Sequence, residues 1–158
     1  MAWKAFLDHP IIGVGPANIP WNIGKYQPPE DLKYRRGVSG MAVHSLYFTL
    51  IPELGLVGTF FFTTMLYYYY KNTKFILKKE KEVSQLQKIR DKSNDKNLLT
   101  EQLRKFKFII FGINGALLGY LVSGVFLSVF YYPHFWFLIA INVSAYNVFK
   151  NYKILKQW

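Results

Sequence analysis

The residue types that could do chemistry are few in this chain, and they gather around one stretch. "HSLYFTLIPELGLVGTFFFTTMLYYYY" runs from His44 to Tyr70 and carries Pro52 and Glu53 in its first half. Histidine changes charge near neutral pH and is a common general base, so an exposed His44 could take a proton from a reacting hydroxyl. The alternative is an ordinary polar residue at a membrane boundary. A carboxylic acid such as Glu53 inside so apolar a segment is costly unless it is paired, protonated or near water, and an ion pair or hydrogen bond to a neighbouring helix is its simplest explanation. On a helix advancing about 100° per residue, Ile51, Gly55, Gly58 and Phe62 return to within about 40° of His44, and Glu53 falls on the opposite face, ~13 Å further along. Gly55 and Gly58 would then let another helix approach on the histidine's side, with the Gly115–Gly119 pair as a candidate surface. Pro52 either kinks the segment near Phe48 or starts the membrane helix proper after an interfacial turn over His44–Ile51. There is no cysteine, hence no thiolate metal site, and no clustered carboxylates or DxD run for a divalent ion.

The elements that must position these residues are membrane helices. Hydrophobic residues make up 51% of 158, and they are bunched into sustained runs, which favours spans over a soluble core. Three candidate spans emerge: residues 44–70; residues 106–132, "FKFIIFGINGALLGYLVSGVFLSVFYY"; and residues 135–149, "FWFLIAINVSAYNVF". The third is short, and is either the return arm of a tight hairpin or a re-entrant or interfacial helix. The fold class expected is therefore all-α, a polytopic transmembrane helical bundle of about three spans. The net charge of +11 sits mostly beside the apolar runs, with 12 basic and 5 acidic residues between Lys71 and Lys107. That pattern sets orientation rather than nucleic-acid binding. It puts the basic segment 71–105 and the tail 150–158 in the cytoplasm, and residues 1–43 and the turn at Tyr131–His134 outside. The basic segment is rich in helix formers, with "DKSNDKN" as a break, and Val83, Leu86, Ile89, Leu98, Leu99 and Leu103 could seam a short hairpin. His134, beside Tyr131, Tyr132 and Trp136, suits an interfacial aromatic belt.

Residues 1–43 hold five of the seven prolines and five glycines, which predicts a long, shaped outer loop rather than regular structure. Within it "DHPIIGVGP" suggests a rigid turn, and Gly13 and Gly15 could turn backbone amides toward an anion.

Two stretches resemble one known family. "HSLYFTLIPELGLVGT" gives His44-Ser45, nine residues, Gly55, two residues, Gly58-Thr59, similar to the H-[N/S/Q]-x9-G-x-x-G-[T/V] signature of the bacterial O-antigen ligase family, which includes O-antigen polymerases. "FLDHPIIGVGPANI", with Pro10, Gly13 and Gly15, resembles the F-x-x-H-P-hydrophobic-x-G-x-G stretch that precedes the signature in the family's periplasmic loop. "GALLGYLVSGVFLSVFYYPHFWFLIAI" is similar in pattern to the last two helices of such proteins.

The resemblance implies a membrane glycosyltransferase that moves a glycan from a polyprenyl-diphosphate carrier to an acceptor hydroxyl, on a lipid A core or another glycan, at the outer face of the cytoplasmic membrane. It implies His44 as the catalytic residue and Arg35 and Arg36 as binders of the diphosphate. The chemistry is coherent without a metal or other cofactor: the diphosphate is already a good leaving group, histidine serves as base, and arginine forks hold phosphate. The chain departs from the family in having Ser45 where Asn is commoner, Pro52 where helix formers are usual, and far fewer spans. It corresponds to the family's C-terminal part, so the remaining helices or a partner chain would be required, and the isolated chain is expected to be inactive. The alternatives are a polymerase of the same family and a non-catalytic membrane subunit or transporter fragment.

Overall fold

The computed structural model describes residues 1–30, 37–90, 96–127 and 129–155. Among the described residues every regular element is helical and no strand occurs. In chain order these are α1 (Ala2–Asp8), α2 (Ile19–Asn22) running into a 3₁₀ turn at Ile23–Tyr26, α3 (Leu46–Arg90), α4 (Lys96–Ser123) and α5 (Pro133–Leu155). Two stretches are long and apolar enough to cross a membrane: Leu46–Glu82 in α3 and Arg104–Ser123 in α4. In α5, which opens on Pro133 as helices readily do, Asn142, Ser144, Asn147 and Asn151 dilute the apolar run.

Residues 1–43, called the outer segment after their expected side, are more regular than their prolines and glycines suggest. "AWKAFLD" contains no helix breaker, and burying Ala2, Ala5 and Phe6 at helical spacing gives α1 a packed face. In α2, Pro20 occupies the first turn, where its missing N–H costs nothing. Nor does α3 end with the apolar run. "KNTKFILKKEKEVSQLQKIR" continues the helix to Arg90 because it is built from good helix formers. Val83, Leu86 and Ile89 fall on α3 and Leu98, Leu99 and Leu103 on α4, but the side chains expected to seam a hairpin there lie outside what the structure describes, as do the first five residues of the "DKSNDKN" break.

The chain forms two compact units. The first comprises Met1–Met65 and Tyr120–Tyr132. Here the start of α3 is fastened to the end of α4: the Leu46 N–H donates to the Gly124 carbonyl at 2.7 Å, and the Tyr47 hydroxyl donates to the Leu121 carbonyl at 3.0 Å. Leu46 is fully buried against Gly124, where an added Cβ would come within 3.1 Å of it. Further along, Phe62 and Phe130 meet edge to face at 6.0 Å.

The second unit comprises Leu66–Gly119 and Pro133–Trp158. Its core is Ile76, Ile110 and Ala145, flanked by Leu77, Phe106, Ile113, Tyr146 and Phe149. A polar ladder crosses this core. Asn142 Nδ2 donates to Thr73 Oγ1 at 2.9 Å, Thr73 Oγ1 donates to Asn114 Oδ1 at 3.3 Å, and Asn114 Nδ2 donates to the Ile110 carbonyl at 2.7 Å. One side chain from each of three helices is thereby tied together. At the charged end, Lys107 lies 3.6 Å from the buried Glu80 carboxyl group.

Candidate functional site

The first unit is organised around an interruption of α3. Pro52 has no N–H to give, and three residues later Gly55 adopts φ 61°, ψ −163°, a conformation open essentially to glycine alone. An uninterrupted helix would bond the Leu56 N–H to the Pro52 carbonyl and the Val57 N–H to the Glu53 carbonyl. Both bonds are opened, and the outer segment takes over all four groups. The Leu56 N–H donates to the Pro10 carbonyl at 2.8 Å and the Val57 N–H to the Ile11 carbonyl at 3.1 Å. The Val14 N–H donates to the Pro52 carbonyl at 2.9 Å and the Gly15 N–H to the Glu53 carbonyl at 3.0 Å. Residues 10–15 are thus spliced into the helix's own ladder. Two glycines make this close approach possible. A Cβ on Gly13 would collide with the Glu53 backbone and lie 2.6 Å from the Pro52 carbonyl oxygen, and a Cβ on Gly55 would lie 2.6 Å from the Gly13 nitrogen.

Glu53 completes the junction. Its carboxyl group is 1% exposed and is met only by donors. Oε1 accepts from the Ile19 N–H at 3.1 Å; Oε2 accepts from the Ala17 N–H at 2.8 Å and from the Tyr131 hydroxyl. The Ala17 N–H is shared with the Tyr131 oxygen, also at 2.8 Å, and this anchoring holds Ala17 at φ 57°, which residues other than glycine seldom adopt. Burial, and next the hydrogen bond to Glu53, push the Tyr131 hydroxyl up to about 12, the Ala17 N–H acting in the opposite direction. One carboxyl group therefore joins α3, the outer segment and the chain that follows α4.

This geometry corrects three expectations. The interruption lies at Gly55 rather than near Phe48, because the strain is released where glycine can absorb it. Glu53 is satisfied by the Ala17 amide, by the Ile19 amide that opens the short helix α2 and by a tyrosine, not by another membrane-length helix. Gly55 receives the outer segment rather than a helix, and a Cβ on Gly58 would meet the side chain of Leu54 from its own helix. Gly115 and Gly119, the surface expected to receive Gly58, have open space where a Cβ would stand. The 100° helical count from His44 cannot be carried across a residue that is not helical.

The other signature residues have local tasks. Ser45, buried, precedes the helix; its Oγ accepts from the Phe48 N–H at 3.5 Å and its carbonyl accepts from Thr49 Oγ1 at 2.8 Å. Thr59 Oγ1 donates to the Gly55 carbonyl at 2.7 Å, just beyond the interruption. His44 differs from all of them. It is exposed, two residues before the helix, and among the described residues its imidazole has no hydrogen bond or ion pair. Arg35 and Arg36 lie outside the described residues. His9 is exposed at the end of α1, where its carbonyl accepts from the Gly13 N–H at 3.0 Å and closes the turn that delivers Pro10 and Ile11.

Tyr131, Ala17 and Ile19 were missed by sequence reasoning. Tyr131 looked like a belt aromatic, and backbone donors leave no mark in residue types. The available signal was Glu53 itself, since a carboxyl group in an apolar run requires donors, and the nearest uncharged segment rich in glycine and proline could supply them. Comparison of the chain with family models, curated proteins and solved structures finds no match.

Proposed function

We propose that this chain is part of an O-antigen ligase-like membrane glycosyltransferase, with His44 as the base. The observation that carries the reading is the splice itself. The two stretches that resemble the family, one around Pro10–Gly15 and the other from His44 to Thr59, bond to each other through four backbone hydrogen bonds. Ser45, Gly55, Gly58 and Thr59 serve the helix and its interruption, whereas His44 stands exposed beside it, as a residue kept for chemistry would.

In this reading the spans are three, α5 being the third. Residues 1–44 and the Tyr131–His134 turn face outside, and the basic arm and tail face the cytoplasm. The substrate is a polyprenyl-diphosphate-linked glycan and the acceptor a hydroxyl of a glycolipid or glycan. The acceptor oxygen attacks the anomeric carbon, its proton passes to the His44 imidazole, and the carbon–oxygen bond to phosphate breaks with its electron pair leaving on the diphosphate. Arg35 or Arg36 receives that charge.

The test is glycan transfer measured in membranes that also hold the enzyme's other helices or its partner chain. His44→Ala should reduce transfer by roughly 10²-fold or more with membrane insertion unchanged. Arg36→Lys should also be poorly tolerated, since an ammonium keeps the charge and loses the fork. Supplying a lipid A core or a second lipid-linked repeat as acceptor separates ligation from polymerisation. Near-normal transfer by His44→Ala would remove the base role.

A further inference from the structure

We infer that the tip of the outer segment, Ile11–Ile12, is inserted among lipid acyl chains, so that residues 9–19 form a re-entrant hairpin rather than a loop in water. The inference rests on the membrane reading of α3 and goes beyond it. Ile11 and Ile12 are among the most exposed apolar side chains in the chain, at 65% and 73%. They do not stand apart from the span: the Pro10 and Ile11 carbonyls are bonded to Leu56 and Val57, which lie inside the apolar stretch Leu46–Glu82. Leu56, Val57, Phe60 and Phe61 are themselves exposed, so the apolar surface of the span continues onto the tip.

The arms of the hairpin are bonded to protein through the carbonyls of Pro10 and Ile11 and the N–H groups of Gly13, Val14 and Gly15, while the Ile11 and Ile12 N–H groups at the turn have no partner among the described residues. No charged residue occurs from Pro10 to Gly24, a long uncharged stretch for a chain whose net charge is +11.

The chain has no cysteine, so single labels are unambiguous. Ile12→Cys, Phe60→Cys and Ser39→Cys are each labelled with an environment-sensitive fluorophore. Each is then reconstituted as the full chain in phosphatidylethanolamine–phosphatidylglycerol vesicles. Position 12 should behave like position 60, with blue-shifted emission that is lost to nitroxide carried on acyl chains and retained in aqueous iodide. Quenching of position 12 by iodide, with position 60 still in lipid, would overturn the inference and spare the membrane reading. Protection of position 12 from both quenchers would also overturn it, because protein rather than lipid would then cover the tip. Iodide quenching at both positions would overturn the two readings together.

Discussion

Replacing Glu53 by alanine removes the acceptor for three donors at once, and the structure sets the size of the effect. The Ile19 N–H is buried, so its loss carries the full penalty of an unsatisfied donor, about 1–3 kcal/mol. Water can reach Ala17 and Tyr131 more readily, and each of those losses contributes about 1 kcal/mol. The sum, roughly 3–5 kcal/mol, weakens the hold of the outer segment on α3 without touching the second unit. The measurement is amide hydrogen exchange of the chain in micelles, followed over the peptide containing Val14, Gly15, Ala17 and Ile19. At about 1.4 kcal/mol per tenfold, exchange there should accelerate by roughly 10² to a few times 10³-fold. Amides around Thr73 should be unchanged. Glu53→Gln keeps one oxygen and confronts one donor with an NH₂, so it should fall between, at about 1–3 kcal/mol. If Glu53→Ala left exchange over 14–19 near the wild-type rate, the carboxyl group would not be what holds the segment, and the splice would stand on its backbone bonds alone.

Gly13→Ala should release the same amides by about 2–5 kcal/mol, since its Cβ meets immovable Glu53 and Pro52 backbone at φ 71°; Gly37→Ala, with open space and no such φ, is the control. Raising pH should loosen the segment through Tyr131. Its hydroxyl titrates near 12 when docked and near its ordinary value of 10 when free, so the free state loses its proton first. Stability is full below about 10 and declines as pH rises toward about 12, a trend that Tyr131→Phe should abolish in exchange measured across that range. In the second unit, Asn142→Leu should be nearly neutral, within about 1 kcal/mol. It removes one hydrogen bond and, with it, a buried Oδ1 that has no partner among the described residues. Thr73→Val strands both amides it joins and should cost more, about 1–3 kcal/mol in thermal unfolding in detergent.

How much of this was legible beforehand follows from what each feature depends on. The apolar stretches of α3 and α4 are a matter of composition and length, and so is the continuation of α3 through its Lys- and Glu-rich arm. Pro52 and Glu53 announced a disturbance in α3, but its position depended on which nearby residue could leave helical space, and Gly55 had been assigned to packing. The amides at Gly13, Val14 and Gly15 bond backbone carbonyls rather than an anion, and the Glu53 carboxyl group is met by Ala17 and Ile19 further along the segment. The splice was hidden because it is written in backbone groups. Val14, Ala17 and Ile19 contribute N–H donors that any residue except proline would supply, and only the glycines that permit the approach are specified by side chain.

The splice also sets a schedule for biosynthesis. Glu53 and the segment that binds it leave the ribosome before α4 does, and the Tyr131 hydroxyl is encoded 78 residues after Glu53. At about 5–20 residues per second, the carboxyl group waits roughly 4–16 s for its third donor. During that interval only the residue 10–19 segment bridges the interruption of α3. A nascent chain stalled before Tyr131 would therefore carry a junction closed by amides alone, and synthesis of the stretch after α4 is the event that locks it.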